Sequence, residues 1–94
     1  MSQMIDEAVK ELNQKTGGSF DGSAKFVVED EGTIMLDGEG ARAADEEAEV
    51  TMTASADTFR EIFEGELDPT AAFMSGRLTI DGDMGQAMKL AQAL

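Results

Sequence analysis

The stretch LTIDGDMGQAMKL, residues 78–90, constrains the fold most strongly, because its apolar residues change their spacing within a few positions. Leu78 and Ile80 alternate with polar residues, which is the period of a strand lying on a core. After Asp83 the apolar residues recur at steps of three and four, and this indicates an amphipathic helix; they are Met84, Ala87, Met88, Ala91 and Leu94. The sequence therefore predicts a sheet whose last strand turns directly into a helix that packs beside it.

The corner of this stretch, Asp81-Gly82-Asp83, carries two acidic residues and could be a calcium loop. An EF-hand requires a glycine at its sixth position and a glutamate at its twelfth. Counted from Asp81, these positions hold Gln86 and Gln92. We therefore predict a structural corner, in which Gly82 permits the turn and Asp83 caps the following helix.

The first half of the chain predicts one helix and several strands. Helical spacing of apolar residues extends over residues 2–16, where Ser2 can act as the N-cap. Alternating apolar residues over 23–39 flank the polar loop Glu29-Asp30-Glu31-Gly32, which predicts a hairpin. Another strand is expected over 48–53, and residues 38–47 are expected to form a connection with room for a short edge strand.

Helix caps divide the second half of the chain. Ser55 predicts the N-cap of a helix that ends near Gly65. Asp68 followed by Pro69 predicts the start of a shorter helix that stops at Gly76. The order of these elements indicates an α+β fold, with a largely antiparallel sheet of about four to five strands covered on one face by helices.

Composition excludes several classes of function. The 94 residues are expected to form a single domain, residues 1–94, and they include no cysteine and no histidine. The chain therefore has no thiol nucleophile, no thiolate metal site and no histidine base. Its net charge of −13 is repelled by a phosphate backbone or an anionic membrane, so we expect no nucleic-acid partner.

Targeting segments are not expected either. No apolar run approaches the ~18 residues of a membrane span, so we expect no stable membrane insertion. The first residues lack the basic flank and apolar centre of a signal peptide, and the final Gln92-Ala93-Leu94 does not match a peroxisomal address. These features predict a cytoplasmic protein.

Three motifs that could carry chemistry are better interpreted as surface. Residues 38–43, GEGARA, fit a phosphate-binding loop, but acidic residues crowd them and a strand follows where a crossover helix is required. Adjacent carboxylates such as Asp45-Glu46-Glu47 lack the apolar surroundings that a catalytic acid needs. Ser19 has no histidine to activate it. We therefore predict no catalytic residue, no metal site and no cofactor.

Methionine is unusually abundant, at seven of 94 residues. Four of the seven fall on predicted inward faces: Met52, Met74, Met84 and Met88. Methionine is flexible and polarisable, so it suits a surface that repacks around apolar ligands, and it also fills gaps in a small core. Composition alone favours gap filling and leaves the ligand interpretation open.

Two stretches of the chain resemble a known family. Residues 48–55 read AEVTMTAS, and residues 65–90 read GELDPTAAFMSGRLTIDGDMGQAMKL. The second fits the pattern G-x-L-x-P-x-x-A-F-x-x-G-x-L-x-I-x-G-D/N-M-G-x-A-M-K-L of the sterol carrier protein 2 family, and the resemblance extends over nearly the whole chain. It implies a five-stranded, largely antiparallel sheet with an apolar tunnel beneath its helices. It also implies that the tunnel holds fatty acyl chains, acyl-CoA, phospholipid or sterol, without catalysis or metal.

Carried onto this sequence, the resemblance implies a lipid-binding pocket with walls from the strands and from the helices. The strand residues would be Phe26, Ile34, Leu36, Met52, Leu78 and Ile80. The helix residues would be Phe59, Ile62, Phe63, Phe73, Met74, Met84 and Met88. An empty enclosed cavity of ~300 Å³ would cost about 7 kcal/mol, so we expect the pocket to be occupied or partly collapsed.

The resemblance predicts a non-catalytic lipid-binding or carrier protein whose ligand is a fatty acyl chain, an acyl-CoA or a similar lipid. Sterol is a poorer candidate for so compact a chain. The alternative is a structural or protein-interaction domain that keeps the same fold with a filled pocket. The oligomeric state is left open, with a homodimer as one alternative.

Overall fold

The structure is a computed structural model and describes residues 3–94. The helices are α1 (Gln3–Thr16), α2 (Ala56–Phe63), α3 (Pro69–Met74) and α4 (Met84–Ala93). The strands are β1 (Ala24–Glu29), β2 (Gly32–Asp37), β3 (Gly40–Ala43), β4 (Val50–Ser55) and β5 (Thr79–Gly82). These elements confirm the α+β prediction, while the N-cap predicted at Ser2 lies outside the described residues.

The strands form one sheet in the order β3-β2-β1-β4-β5. Strands β1 and β4 pair in parallel at its centre, and the other neighbouring pairs are antiparallel. The sheet is therefore largely antiparallel, as predicted. The segment expected to be a connection contains the short edge strand β3, and the last strand begins at Thr79, so Leu78 precedes it.

One row of side chains crosses the helix-covered face of the sheet from β2 to β5. Phe26 pairs with Ile34 on one side and with Met52 on the other, and Met52 pairs with Ile80. Ile34, Phe26 and Met52 are fully buried, whereas Ile80 is only half-buried. The helices therefore cover this face less completely towards β5.

Local signals place the turns and the helix starts. Strands β1 and β2 are joined at Asp30, whose φ of 67° is tolerated by aspartate in a tight turn. The side chains of Ser55, Asp68 and Asp83 accept hydrogen bonds from backbone N–H groups of the helices that follow them. These three predicted caps are confirmed.

Gly82 explains how β5 turns into α4 without a loop. Its φ is 109°, and a Cβ atom at this position would collide with the carbonyl oxygen of Glu49 and lie 3.1 Å from Cα of Val50. Asp83 then donates its backbone N–H to the same Glu49 oxygen at 2.8 Å and caps α4 with its carboxylate. The acidic corner is therefore a structural turn, as predicted.

Helices α1 and α2 close one end of the core. Helix α1 packs on β2 and β3, and α2 packs on β1 and β4. Between β1 and α2, the ring of Phe26 meets those of Phe59 and Phe63 edge-on, at centroid distances of 5.7 and 6.1 Å. Across residues 3–94, no helix is both long enough and apolar enough to cross a membrane.

Candidate functional site

An apolar groove of about 300 Å³ lies between α3, α4 and the β4–β5 end of the sheet. Its floor is formed by Met52 of β4 and Ile80 of β5. Its walls come from the two helices; the lining residues there are Pro69, Thr70, Phe73, Met74, Met84, Ala87, Met88 and Ala91. Thr70 contributes the single polar side chain among these lining residues.

The walls of this groove are open to solvent. Phe73 is 41% exposed, Met74 80%, Met84 48% and Met88 65%, whereas Met52 in the floor is 1% exposed. A folded protein ordinarily exposes large apolar side chains singly, so several around one concavity mark a binding surface.

Helical geometry explains why these side chains line the groove together. In α3, Thr70, Phe73 and Met74 are spaced at i, i+3 and i+4, so they share a face, while Pro69 and Ala72 are buried. In α4, Met84, Met88 and Ala91 are spaced at i, i+4 and i+7. Ala87 and Leu90 are buried and anchor α4 in the core, since α4 contacts β1, β4 and β5.

The basic side chains nearest the groove in sequence make contacts within the protein. Arg77 forms an ion pair with Glu61 and a hydrogen bond with Thr58 Oγ1. Lys89 Nζ lies 2.8 Å from the carbonyl oxygen of Asp21 and 3.3 Å from its carboxylate. The groove is therefore bounded by apolar atoms and not by a charge pair.

The clearest electrostatic perturbation lies at the far edge of the sheet. The Arg42 guanidinium donates to the carboxylate of Asp37, and the backbone N–H of Glu39 donates to it as well. These hydrogen bonds lower the pKa of Asp37 below its ordinary value. Within residues 3–94, no group of three or more acidic side chains is arranged to hold a metal ion.

The thirteen pocket residues predicted from the sequence separate into two sets. Six line the groove: Met52, Phe73, Met74, Ile80, Met84 and Met88. Seven are packed in the hydrophobic core: Phe26, Ile34, Leu36, Phe59, Ile62, Phe63 and Leu78. The structure therefore brings the four predicted methionines together at the groove. It places all the predicted α2 residues, and most of the predicted strand residues, in the core away from it.

One expectation about the pocket is wrong, and the energetic argument behind another does not hold for this groove. Met74, Met84 and Met88 were expected on inward faces, but their side chains are exposed because α3 and α4 leave the groove uncovered. The pocket was also expected to be occupied or collapsed because an enclosed cavity is costly. Since this groove opens to solvent, that cost does not apply to it.

Four lining residues were not predicted: Pro69, Thr70, Ala87 and Ala91. The apolar face of α4 already contained Ala87 and Ala91, so the helical period could have identified both. Thr70 shares a face with Phe73 and Met74 at the same spacing, but a polar residue at a helix start gives no apolar signal.

A larger depression of about 400 Å³ lies between α1 and α2. It contrasts with the groove because charged residues dominate its lining, which includes Glu7, Lys10, Glu11, Arg60 and Glu64. Solvated charges of both signs do not attract an apolar ligand, so this depression is an ordinary surface feature.

Comparisons with known proteins find one family that matches nearly the whole chain. The model of the SCP-2 sterol transfer family matches residues 5–94. "Hydroxysteroid dehydrogenase-like protein 2" of Xenopus laevis is 37% identical over 93 residues, covering 90% of this chain and 22% of that protein. "Sterol carrier protein 2" of Homo sapiens is 30% identical over 100 residues, covering 96% of this chain and 18% of that protein. The chain thus spans about a fifth of each of these relatives.

A solved structure shares the fold. The solution structure of sterol carrier protein 2 from Aedes aegypti, in complex with palmitate, superposes with a TM-score of 0.77 at 19% identity. The match covers 98% of this chain and 94% of that one. At this identity, the superposition establishes the shared fold of helices on a five-stranded sheet.

Proposed function

Because the chain belongs to the SCP-2 sterol transfer family, we propose that it is a lipid carrier that holds a hydrocarbon chain in the groove between α3 and α4. The observation that carries this proposal is the exposure of Phe73, Met74, Met84 and Met88 around one concavity. Each CH₂ group that enters the groove gains about 0.8 kcal/mol from leaving water. A long acyl tail can therefore bind without any specific polar contact.

Methionine supports this function physically. Its unbranched, polarisable side chain can adjust to tails of different length and unsaturation. The fatty acid in the Aedes aegypti structure has a hydrocarbon tail of the kind that the groove is proposed to hold, and it is bound in a protein of the same fold.

The carrier role includes no chemical step. The sequence has neither histidine nor cysteine, so an acyl-transfer or hydrolytic site would need an unusual base or nucleophile. The name of the Xenopus laevis relative refers to a protein of which this chain matches 22%. We therefore assign this chain the binding of lipid and not a dehydrogenase reaction.

The direct test is calorimetric titration of delipidated protein with 1-monomyristoylglycerol and with myristic acid in ~150 mM NaCl. We expect saturable binding of at least one of them, and a ligand at about 100 times its Kd should raise the free energy of unfolding by about 2.7 kcal/mol. Native mass spectrometry of the protein as purified should also reveal lipid that copurifies with it.

Variants show whether binding occurs in the groove. The double variant Met74→Gln/Met88→Gln makes two exposed wall positions polar, so it should weaken binding at least about tenfold while the fold persists. The matched control is Ala71→Gln/Thr79→Gln, which introduces glutamine without a change of charge at exposed positions of α3 and β5 outside the groove lining. Equal loss in both variants, or no binding of either lipid to wild type, would contradict the proposal. A dimer that buries Met74 and Met88 would instead favour an interaction domain.

A further inference from the structure

The groove has unusual electrostatics for a site that takes amphiphiles. A protein commonly holds an anionic end with a basic side chain or with the free N–H groups of a helix N-terminus. Across the described residues that line this groove, none is basic, and Thr70 is the polar member. An anionic end would therefore have to find its partner at the rim.

The basic residues closest to the groove in sequence are already paired with carboxylates of the protein. Arg77, between α3 and β5, is held by Glu61, and Lys89, next to Met88, is held by Asp21. Lys89 Nζ also lies 5.9 Å from the centre of the Phe20 ring. Recruiting either cation to a ligand would break contacts that it makes in the protein.

The helix N-termini at the groove are occupied as well. The carboxylate of Asp68 accepts the N–H of Thr70 at the start of α3. The carboxylate of Asp83 accepts the N–H groups of Gly85 and Gln86 at the start of α4. At both ends the protein's own anion takes the place that a ligand's anion would need.

The rest of the molecule strengthens this repulsion. The net charge is −13, and the molecule measures 30 × 28 × 22 Å. The Debye length is ~30 Å in 0.01 M salt and ~3 Å in 1 M salt. At low salt, a charged headgroup at the groove therefore senses the acidic residues of the whole molecule, and at high salt it senses only its neighbours.

We propose that the groove selects lipids with an uncharged polar end and discriminates against anionic ones, most strongly against acyl-CoA thioesters. This inference rests on the proposed function and adds the class of ligand. The hydrocarbon tail occupies the floor over Met52 and Ile80 and the methionine walls. An alcohol or glycerol end at the groove can exchange hydrogen bonds with the Thr70 hydroxyl, which is exposed and can both donate and accept.

The experiment compares three probes that share one tail: 1-monomyristoylglycerol, myristic acid and myristoyl-CoA. Each is titrated below its critical micelle concentration at pH 8, in 10 mM and in 1 M NaCl. We expect myristoyl-CoA to bind at least about tenfold more weakly than the glycerol ester at 10 mM, with the acid between them. In 1 M NaCl the ratio should contract to about threefold or less, because screening removes the long-range repulsion.

A pair of lysine variants tests whether the groove itself sets the preference. Thr70→Lys places a cation in the groove lining, whereas Thr79→Lys makes the same charge change on the sheet face opposite Ile80. In 10 mM NaCl, Thr70→Lys should tighten myristoyl-CoA binding at least about fivefold more than Thr79→Lys does. Binding of monomyristoylglycerol should change little in Thr79→Lys.

The outcomes separate this inference from the proposed function. Binding of myristoyl-CoA as tight as that of the glycerol ester at 10 mM overturns the selectivity and leaves the carrier role intact. A preference that persists unchanged in 1 M NaCl overturns the electrostatic explanation. If none of the three probes binds, the carrier role fails and the selectivity fails with it.

Discussion

The two ends of one sheet face differ in how completely the helices cover them. At the closed end, α1 lies over β2 and β3 and α2 lies over β1 and β4, and Phe26, Phe59 and Phe63 fill the space between α2 and the sheet. At the open groove, α3 and α4 flank β4 and β5 and leave Phe73 and Met74 exposed. Both ends contain the same types of apolar residue, namely phenylalanine, methionine and aliphatic side chains. Completeness of packing, and not residue type, therefore distinguishes core from site.

The row Ile34-Phe26-Met52-Ile80 connects the two ends directly. Met52 belongs to both, since it is packed in the core and also forms part of the groove floor. A ligand tail in the groove would therefore rest against a side chain that the closed end holds in place. The floor of the groove is therefore part of the packed core, whereas its walls are exposed.

The largest contrast should come from truncating one phenylalanine at each end. Phe26→Ala removes a fully buried ring that contacts two others, so it should lower the free energy of unfolding by about 3–5 kcal/mol. Phe73→Ala truncates a ring that is 41% exposed, so it should cost about 1 kcal/mol or less. Urea unfolding followed by circular dichroism measures both. Similar costs for the two variants would erase the distinction between the ends.

A second comparison concerns the stability cost of alanine at two glycines, one in the β5–α4 corner beside the groove and one that follows α3. Gly82→Ala should cost about 2–3 kcal/mol, because the new Cβ meets the Glu49 carbonyl in addition to the strain of a positive φ. Gly76 has a φ of 82°, and no atom lies within 4 Å of a Cβ added there. Gly76→Ala should therefore cost only the backbone strain, about 1–2 kcal/mol. The same urea titration applies. An equal cost at both positions would show that the β5–α4 corner tolerates displacement.

Oxidation should affect the open groove and spare the packed methionines. Limited peroxide should convert Met74, Met84 and Met88 to sulfoxides first, whereas Met35 and Met52, each 1% exposed, should react slowly. The oxidised protein should lose lipid binding while its free energy of unfolding changes by less than about 1 kcal/mol. Peptide mass spectrometry gives the order of oxidation. Rapid oxidation of Met35 would mean that the sheet opens more readily than its packing indicates.

The smallest effect should come from the ion pair between β2 and β3. Arg42 lowers the pKa of Asp37 in the folded protein, so the stabilisation exists above the ordinary carboxyl pKa and is lost as pH falls through the lowered value. Asp37→Asn should therefore shift the urea midpoint slightly downward at pH 7, and this shift should shrink as pH falls below the ordinary carboxyl pKa. Lipid affinity should be unchanged, since the pair is two strands away from the groove floor. A large change in lipid affinity would mean that the ion pair and the groove are coupled more strongly than the structure indicates.

Much of the fold could be predicted because its signals are local. The caps at Ser55, Asp68 and Asp83 each involve neighbours within three residues, and the hairpin at Asp30 is set by its own turn. Gly82 could be predicted as a turn residue. Its close approach to Glu49 could not, since that contact joins residues distant in sequence.

The groove was harder to predict for a related reason. Periodicity identifies the apolar face of α4 but not what covers it, so Met84 and Met88 read as inward residues although they are exposed. The parallel pairing of β1 with β4 also depends on contacts between distant segments. Six of the thirteen predicted pocket residues line the groove, and the other seven belong to the hydrophobic core.

The most direct test of the account uses the methionine methyl groups as reporters, since they are distributed between the two ends. Protein labelled with ¹³C at the methionine methyls is titrated with 1-monomyristoylglycerol and followed by NMR. We predict large shift changes at Met52, Met74, Met84 and Met88, which line the groove, and little change at Met4 and Met35. Saturable binding that shifts Met4 or Met35 and leaves the groove methyls unmoved would contradict the central claim.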